Sequence, residues 1–252
     1  MSNASDTPTR LSVVVPVYNE ADNVEPLVFE LDRVLRNPAL NVDYEIVYVD
    51  DGSTDETPER LAALAADLPH LRVVRHGYNC GQSAAIRSGV RAARHPVIAT
   101  LDGDGQNDPA DIPRLFSVYA AGARSHVHLV VGCRVNRRDT WLRRISSRIA
   151  NAIRSTLAGD STPDTGCGLK VFSRDVFLSV PFFDHMHRFL PALFIREKGR
   201  VVSVPVNHRP RTRGRSKYGV RNRMWVGIVD LLGVLWLQRR AARPVIFHGD
   251  RP

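Results

Sequence analysis

The chain has 252 residues, 43% of them hydrophobic and 24% charged. That is an ordinary globular composition, long enough for one large α/β domain or two small ones with a substantial core. Its formal net charge of +9 and its pI near 10.1 point to an anionic partner: a nucleotide, a lipid phosphate, a membrane surface or a nucleic acid. Cys80, Cys133 and Cys167 are odd in number and far apart, which speaks against a disulfide framework or a CxxC metal knuckle and for reduced thiols. No signal peptide is read at the N-terminus, and no stretch reaches the roughly 18 to 20 apolar residues that a spanning helix needs.

Residues 1–10 are polar and expected to be disordered. Residues 11–15 form an apolar, mostly β-branched run ending at Pro16, the pattern of a strand buried on both faces. Across 23–35, Val24, Leu27, Val28, Leu31, Val34 and Leu35 recur at helical spacing. A second apolar strand, 44–49, runs into Asp50-Asp51-Gly52-Ser53-Thr54-Asp55. A helix then starts at Pro58 with Thr57 as its expected N-cap and Leu61, Leu64 and Leu68 on one face. A third strand covers 71–74, and Asn79-Cys80-Gly81-Gln82-Ser83 opens a third helix that reaches Ala93. The fourth strand, 97–101, delivers Asp102-Gly103-Asp104 onto a turn. Strands alternating with helices predict a doubly wound, mostly parallel α/β sheet, in which ligands collect at the carboxyl ends of the strands. The polar clusters 16–20, 50–55 and 102–106 all fall there.

Beyond Gly132 the pattern changes. Arg134, Arg137, Arg138, Arg143, Arg144 and Arg148 accompany Trp141, Leu142, Ile145, Ile149 and Ile153 on an expected amphipathic helix reaching about Leu157. Taken alone, such a helix is a solvated basic face over a core face. A Gly-rich turn, 164–168, leads into a strand. A short helix over 188–197, a strand over 201–206 and a basic loop over 209–217 follow. The tail, 226–237, is apolar except for Asp230, with Trp225 and Trp236 at its ends and arginines on both flanks. At about 1.5 Å per residue it reaches roughly 18 Å, short of a hydrocarbon core of about 30 Å, and it suits a helix lying in a membrane interface. A core or dimer helix is the competing reading.

Asp102 and Asp104, one residue apart at a strand end, are hard oxygen ligands suited to a divalent cation with a diphosphate on its other side, although Asp and Gly are also ordinary turn formers. The ordered set Val13-Val14-Val15-Pro16-Val17-Tyr18-Asn19-Glu20, then Asp50 to Asp55, then Asp102-Gly103-Asp104-Gly105-Gln106, resembles the family 2 glycosyltransferases of the GT-A fold over about residues 11–220. With Asp164-Thr165-Gly166-Cys167-Gly168-Leu169-Lys170, His187-Arg188-Phe189-Leu190-Pro191 and Arg211 to Tyr218, it is similar to the branch that glycosylates polyprenyl phosphates, the dolichol-phosphate mannose synthase-like enzymes. Cys167 stands where that branch usually has an aromatic residue.

The resemblance implies a single GT-A domain over 11–220 and a membrane-associating amphipathic tail over 221–252. It further implies a peripheral enzyme at the cytoplasmic face of the cell membrane that moves a hexose, with inversion, from a GDP- or UDP-sugar to a dolichyl or undecaprenyl phosphate. Pro16, Tyr18, Asn19, Glu20, Asp50, Asp51, Gly52, Ser53 and Asp102 would hold the donor. Asp102, Asp104 and Gln106 would hold Mg2+ or Mn2+, and Arg134, Arg138, Arg211 and Lys217 the acceptor phosphate, with Asp104, Arg134 and Lys217 central to catalysis. An ionised phosphate needs no general base, so Asp164 is expected to brace its turn rather than take a proton, and Arg188 either meets phosphate or pairs with Asp164. A soluble relative acting on a hydroxyl is the alternative. A nucleic-acid-binding role is disfavoured because the basic stretches lack interleaved aromatics. A homo-oligomer or a separate membrane-protein partner is left open.

Overall fold

The computed structural model describes residues 10–38, 40–134, 162–211 and 223–241. Seven strands make one sheet in the order β3-β2-β1-β4-β6-β5-β7. β1 (Arg10–Val17), β2 (Asp43–Asp50), β3 (Leu71–Arg75) and β4 (Val97–Thr100) are mutually parallel, with β1 central between β2 and β4. Residues facing alternate sides of β1 enter different cores. Val13, Val15 and Val17 pack with Val24, Leu27 and Leu31 of α1 (Ala21–Leu35), whereas Val14 packs with Ala85, Ile86 and Val90 of α3 (Gln82–Ala92). Burial of both faces is why this strand reads as a nearly continuous apolar run, broken only at the buried Ser12, rather than an alternating one. α2 (Thr57–Asp67) adds Leu61 to the α1 side.

Beyond β4 lie α4 (Ile112–Gly122), β5 (Val127–Arg134), β6 (Lys170–Ser173), α5 (Arg174–Ser179), α6 (Leu190–Arg196) and β7 (Arg200–Val206). β6 runs antiparallel to both β4 and β5, and β5 pairs parallel with β7. A reversed strand starts where its parallel neighbours end, so the 164–168 turn that precedes β6 lands on the rim where β1, β2 and β4 finish. The sequence pattern left α4, β5 and α5 unassigned. Cys167 lies fully buried in the core with Leu169 and Val206.

Several boundaries differ from expectation. Arg10 pairs with Asp43 as the first residue of β1 rather than closing a disordered segment. Thr57 is not the N-cap of α2: Glu56 holds that position, Thr57 begins the helix, and its hydroxyl accepts from the Glu20 amide at 3.0 Å. The expected 188–197 helix is a 3-10 turn, Met186–Arg188, followed by α6, because Pro191 sits in the first turn of a new helix and cannot continue an earlier one. Arg134, the first of the arginines read with the amphipathic helix reaching about Leu157, ends β5; the rest of that expected helix lies outside the described residues, as do Arg138 and Lys217.

The tail forms α7 (Arg223–Arg239). Leu231 and Val234 pack on Phe183, Phe189 and Ala192. Asp230, the single acid in its apolar run, turns inward, 3.2 Å from His185 Nδ1. Val229, Leu232 and Trp236 are exposed to 65%, 61% and 60%, and their spacing puts them on one stripe of the helix. No described helix is long and apolar enough to cross a membrane.

Candidate active site

The ends of β1, β2 and β4, together with the start of α3, enclose an open cleft of about 260 Å³. Pro16, Tyr18, Glu20, Asp51, Asn79, Gln82, Asp102, Gly103, Asp104, Gln106 and Arg211 line it. The strand ends thus converge as the sequence implied, and Asn79 and Gln82 join them unforeseen.

Asp102 is the most constrained of these groups. Its backbone amide donates to Asn107 Oδ1 at 2.9 Å, and its carboxylate Oδ1 accepts from Gln82 Nε2 at 2.7 Å. On the other side stands Gly168, where a β-carbon would come within 2.4 Å of the carboxylate carbon, and whose carbonyl accepts from the Thr100 hydroxyl at 2.9 Å. Gly103 is equally confined: a β-carbon there would lie 2.3 Å from Val17 Cγ1, at the end of β1. The Asp-Gly-Asp spacing is therefore a packing requirement, because the residue between the carboxylates touches the central strand. Asp104 Oδ1 accepts from the Gln106 amide at 3.1 Å.

Burial first, and the adjacent Asp104 charge second, push the Asp102 carboxyl up to about 6 from an ordinary 3.8, against the opposing pull of Lys170, Arg134 and Gln82. Lys170 is buried beneath the site, its ammonium donating to the Cys167 carbonyl, and burial lowers its pKa. Two carboxylates at one cleft wall are hard oxygen donors that fit Mg2+ or Mn2+. A proton on Asp102 competes with such an ion. Apparent Mn2+ affinity, read by titration, is expected to fall about tenfold between pH 7 and pH 5, since a group with a pKa of about 6 is mostly ionised at the first and mostly protonated at the second. Without metal the sign for stability is the reverse of the usual carboxylate. Asp102's stabilising contribution is present below its ordinary value of 3.8 and is lost as the pH rises through about 6.

Arg211 reaches this wall. It donates to Glu20 Oε1 at 2.5 Å and lies 3.8 Å from Asp104 Oδ2. It is delivered there by Arg209, whose guanidinium makes a two-pronged bond to Glu30 at 2.8 and 2.7 Å and a third bond to Asp108 at 2.6 Å. Arg209 is thus a strut. Arg134, expected at the phosphate, makes a bidentate pair with Asp164 at 2.7 and 2.8 Å, and Asp164 also accepts from the Arg134 amide at 3.2 Å. Asp164 is therefore a brace whose partner includes Arg134, the pairing for which Arg188 had been considered.

The other expected donor residues build the turns. Asn19, in the left-handed region at φ 51°, donates its amide to Ser53 Oγ at 2.8 Å and accepts from the Thr54 amide at 2.7 Å. Asp50 is fully buried and accepts from the Ser53 amide at 3.0 Å. The structure does not bring Asn19, Asp50, Gly52 or Ser53 to the cleft lining; of the second acidic pair, Asp51 lines it. Gln106 lines the cleft, with its side-chain amide donating to the Arg209 carbonyl at 3.4 Å. Gln82 was missed because a glutamine in a helix's first turn carries no signal of its own. Its partner, Asp102, is twenty residues away.

Residues 12–180 match the Glycosyl transferase family 2 model. Among curated proteins, the chain is 40% identical over 248 residues to a dodecaprenyl-phosphate galacturonate synthase from Rhizobium johnstonii, covering 95% of this chain and 70% of that protein. It is 37% identical over 213 residues to an undecaprenyl-phosphate 4-deoxy-4-formamido-L-arabinose transferase from Edwardsiella ictaluri, covering 83% of this chain and 63% of that one. Among solved structures, it is similar to glucosyl-3-phosphoglycerate synthase from Mycobacterium tuberculosis in complex with phosphoglyceric acid, with a TM-score of 0.66 at 19% identity over 91% of this chain and 80% of the other. The same enzyme with Mn2+, UDP-glucose and phosphoglyceric acid matches with a TM-score of 0.66 at 18% identity over 91% and 79%. The fold is that of a GT-A glycosyltransferase, and the chain belongs to glycosyl transferase family 2.

Proposed function

We propose that this chain transfers a hexose, with inversion at the anomeric carbon, from a nucleotide diphosphate sugar to a polyprenyl phosphate at a membrane surface. The observation that carries the reading is the engagement of Asp164. A hydroxyl acceptor must lose a proton to a base, and the carboxylate considered for that task is gripped by both the guanidinium and the amide of Arg134. A phosphate monoester is already ionised near neutral pH and needs only cations to bring it against an anionic donor. The relatives named for transfer to dodecaprenyl and undecaprenyl phosphate support the same acceptor class.

In this reading Pro16, Tyr18, Glu20 and Asp51 frame the nucleoside, and Asp102 and Asp104 would hold Mg2+ or Mn2+, as Mn2+ accompanies UDP-glucose in the structural neighbour. The ion would supply Lewis-acid neutralisation of charge on the departing nucleoside diphosphate. Gln82 and Gly168 fix the direction of the Asp102 carboxylate. Arg211, held between Glu20 and Asp104, is poised to exchange those contacts for phosphate oxygens, where a planar fork suits bidentate contact. Arg138 and Lys217 are assigned to the same acceptor phosphate. Arg134, kept in place by Asp164, adds positive field beside Asp102.

Incubation with a panel of radiolabelled UDP- and GDP-sugars, undecaprenyl phosphate and Mn2+ is expected to give an organic-extractable product with one donor. Labelling of a soluble hydroxyl acceptor with no lipid product overturns the proposal.

The proposal makes the chain peripheral to the cytoplasmic face of the membrane. Val229, Leu232 and Trp236 supply an apolar stripe, and Arg239 and Arg240, both exposed, supply the charge that anionic headgroups attract. Replacing Leu232 and Trp236 together by serine is expected to reduce partition onto anionic vesicles tenfold or more, since each apolar side chain is worth about 1.5–3 kcal/mol on burial. The thermal midpoint should hardly move, because both side chains are exposed in the free protein. Unchanged flotation would refute the membrane role of α7.

A further inference from the structure

Asp51 belongs to a second cluster, of different chemistry from Asp102 and Asp104. At the end of β2, just past β3 and just before α3, Asp51, His76 and Cys80 bring a carboxylate oxygen, an imidazole nitrogen and a thiol sulfur within 4.8 Å of one another. His76 Nδ1 lies 2.7 Å from Asp51 Oδ1. The carboxylate is held in place by the Cys80 amide, donating to Oδ1 at 2.9 Å, and by the Gly81 amide, donating to Oδ2 at 2.8 Å. The imidazole is held from its other end by the Ser88 hydroxyl, 2.9 Å from Nε2. A histidine whose distal nitrogen is engaged in this way offers the proximal one to a metal with its ring already oriented.

Cys80 is exposed, and its thiol makes a single weak contact with the Tyr78 carbonyl at 3.3 Å. In a tetrahedral zinc site, bonds of about 2.3 Å to sulfur and about 2.0–2.1 Å to nitrogen put those two atoms about 3.5 Å apart. Closing the cluster therefore asks for a shift of about 1.3 Å or less at the exposed thiol and an opening of about 0.6 Å in the 2.7 Å carboxylate–imidazole pair to admit the ion. The Asp102 and Asp104 pair offers oxygen alone, which suits hard ions; this cluster offers oxygen, nitrogen and sulfur, which suits a borderline-soft one.

We propose that Asp51, His76 and Cys80 form a second cation site, selective for zinc-class ions, with a water as fourth ligand. Because Asp51 also lines the cleft, an ion there would obstruct donor entry and inhibit transfer. The obstruction rests on the donor reading of the cleft; the binding does not.

Cobalt(II), a spectroscopic stand-in for zinc, tests both. Titration of the full chain with Co2+ is expected to produce tetrahedral visible bands and a near-ultraviolet thiolate charge-transfer band at one equivalent, displaced by Zn2+. Cys80→Ser should abolish the charge-transfer band, His76→Gln should weaken binding tenfold or more, and Asp104→Asn should leave both unchanged. In transfer assays with saturating Mn2+, added Zn2+ should raise the donor KM of the parent tenfold or more and leave that of Cys80→Ser unmoved. A cobalt spectrum of octahedral type, or a thiolate band that survives in Cys80→Ser, overturns the site. Binding with an unmoved donor KM overturns the inhibition alone. A normal cobalt band in a preparation that transfers no sugar from any donor would refute the donor reading and leave the site standing.

Discussion

Asp104→Asn is expected to lower sugar transfer by about a thousandfold or more, a loss of roughly 4 kcal/mol of transition-state stabilisation. The change keeps the size of the side chain and removes the charge of one of the two carboxylates at the cleft wall. It also removes the negative partner that Arg211 approaches at 3.8 Å. Asp104 is at the surface of the cleft, with its side chain 20% exposed, so the fold should be untouched and the thermal midpoint preserved. Mn2+ titration of the same variant should show weakened binding, and vesicle partition should equal that of the parent, because α7 is a separate surface. Near-parental transfer at low Mn2+ would show that Asp104 does not hold the ion.

A methyl group at position 168 is expected to do comparable damage from behind. In Gly168→Ala the new carbon would meet the Asp102 carboxylate head-on, at 2.4 to 2.5 Å from its atoms. That carboxylate has nowhere to retreat: Gln82 holds Oδ1 and Asn107 holds the amide. Overpacking of this kind costs about 1–3 kcal/mol, which for a chain of this size lowers the thermal midpoint by about 2–4 °C per kcal/mol. Metal affinity and transfer should fall with it, since Asp102 is turned out of position. Gly166→Ala in the same turn is the control. A β-carbon there would be 3.4 Å from the Arg134 guanidinium, an ordinary contact, and should leave both the midpoint and transfer close to those of the parent. Indistinguishable behaviour of the two variants would mean that Gly168 does not fix Asp102.

Much of the architecture was legible in the residues, and for a definite reason. β1, β2 and β4 are buried on both faces, so they appear as nearly continuous apolar runs, interrupted at Ser12 and Glu45, which bond to each other in the interior, and each run is followed by polar residues at the cleft rim. β5 was harder: His128, Cys133 and Arg134 are partly exposed and interrupt the run. The antiparallel entry of β6 has no local signature at all, because direction in a sheet is decided by partners far away in sequence. The same distance hid the side-chain pairings. Asp164 and Arg134 are thirty residues apart, and Arg188 was an equally charged candidate on paper. Asp50 and Asp51 look alike in sequence, yet one residue's shift along β2 sends the first into the interior and the second to the cleft. Arg209 and Arg211 are alike in a basic loop, and Arg211 was the expected phosphate ligand. Only the position of Glu30 and Asp108 makes the first a strut and frees the loop to present the second.

The reversal of β6 has a mechanical corollary. Residue 134, at the end of β5, and the turn before β6 are both held by the sheet, β5 pairing with β6 and the Gly132 amide donating to the Leu169 carbonyl at 2.9 Å. These two anchors stand side by side at the rim where β1, β2 and β4 finish, so a change in the length of the sequence that joins them leaves the strand pairings and the carboxylate wall where they are.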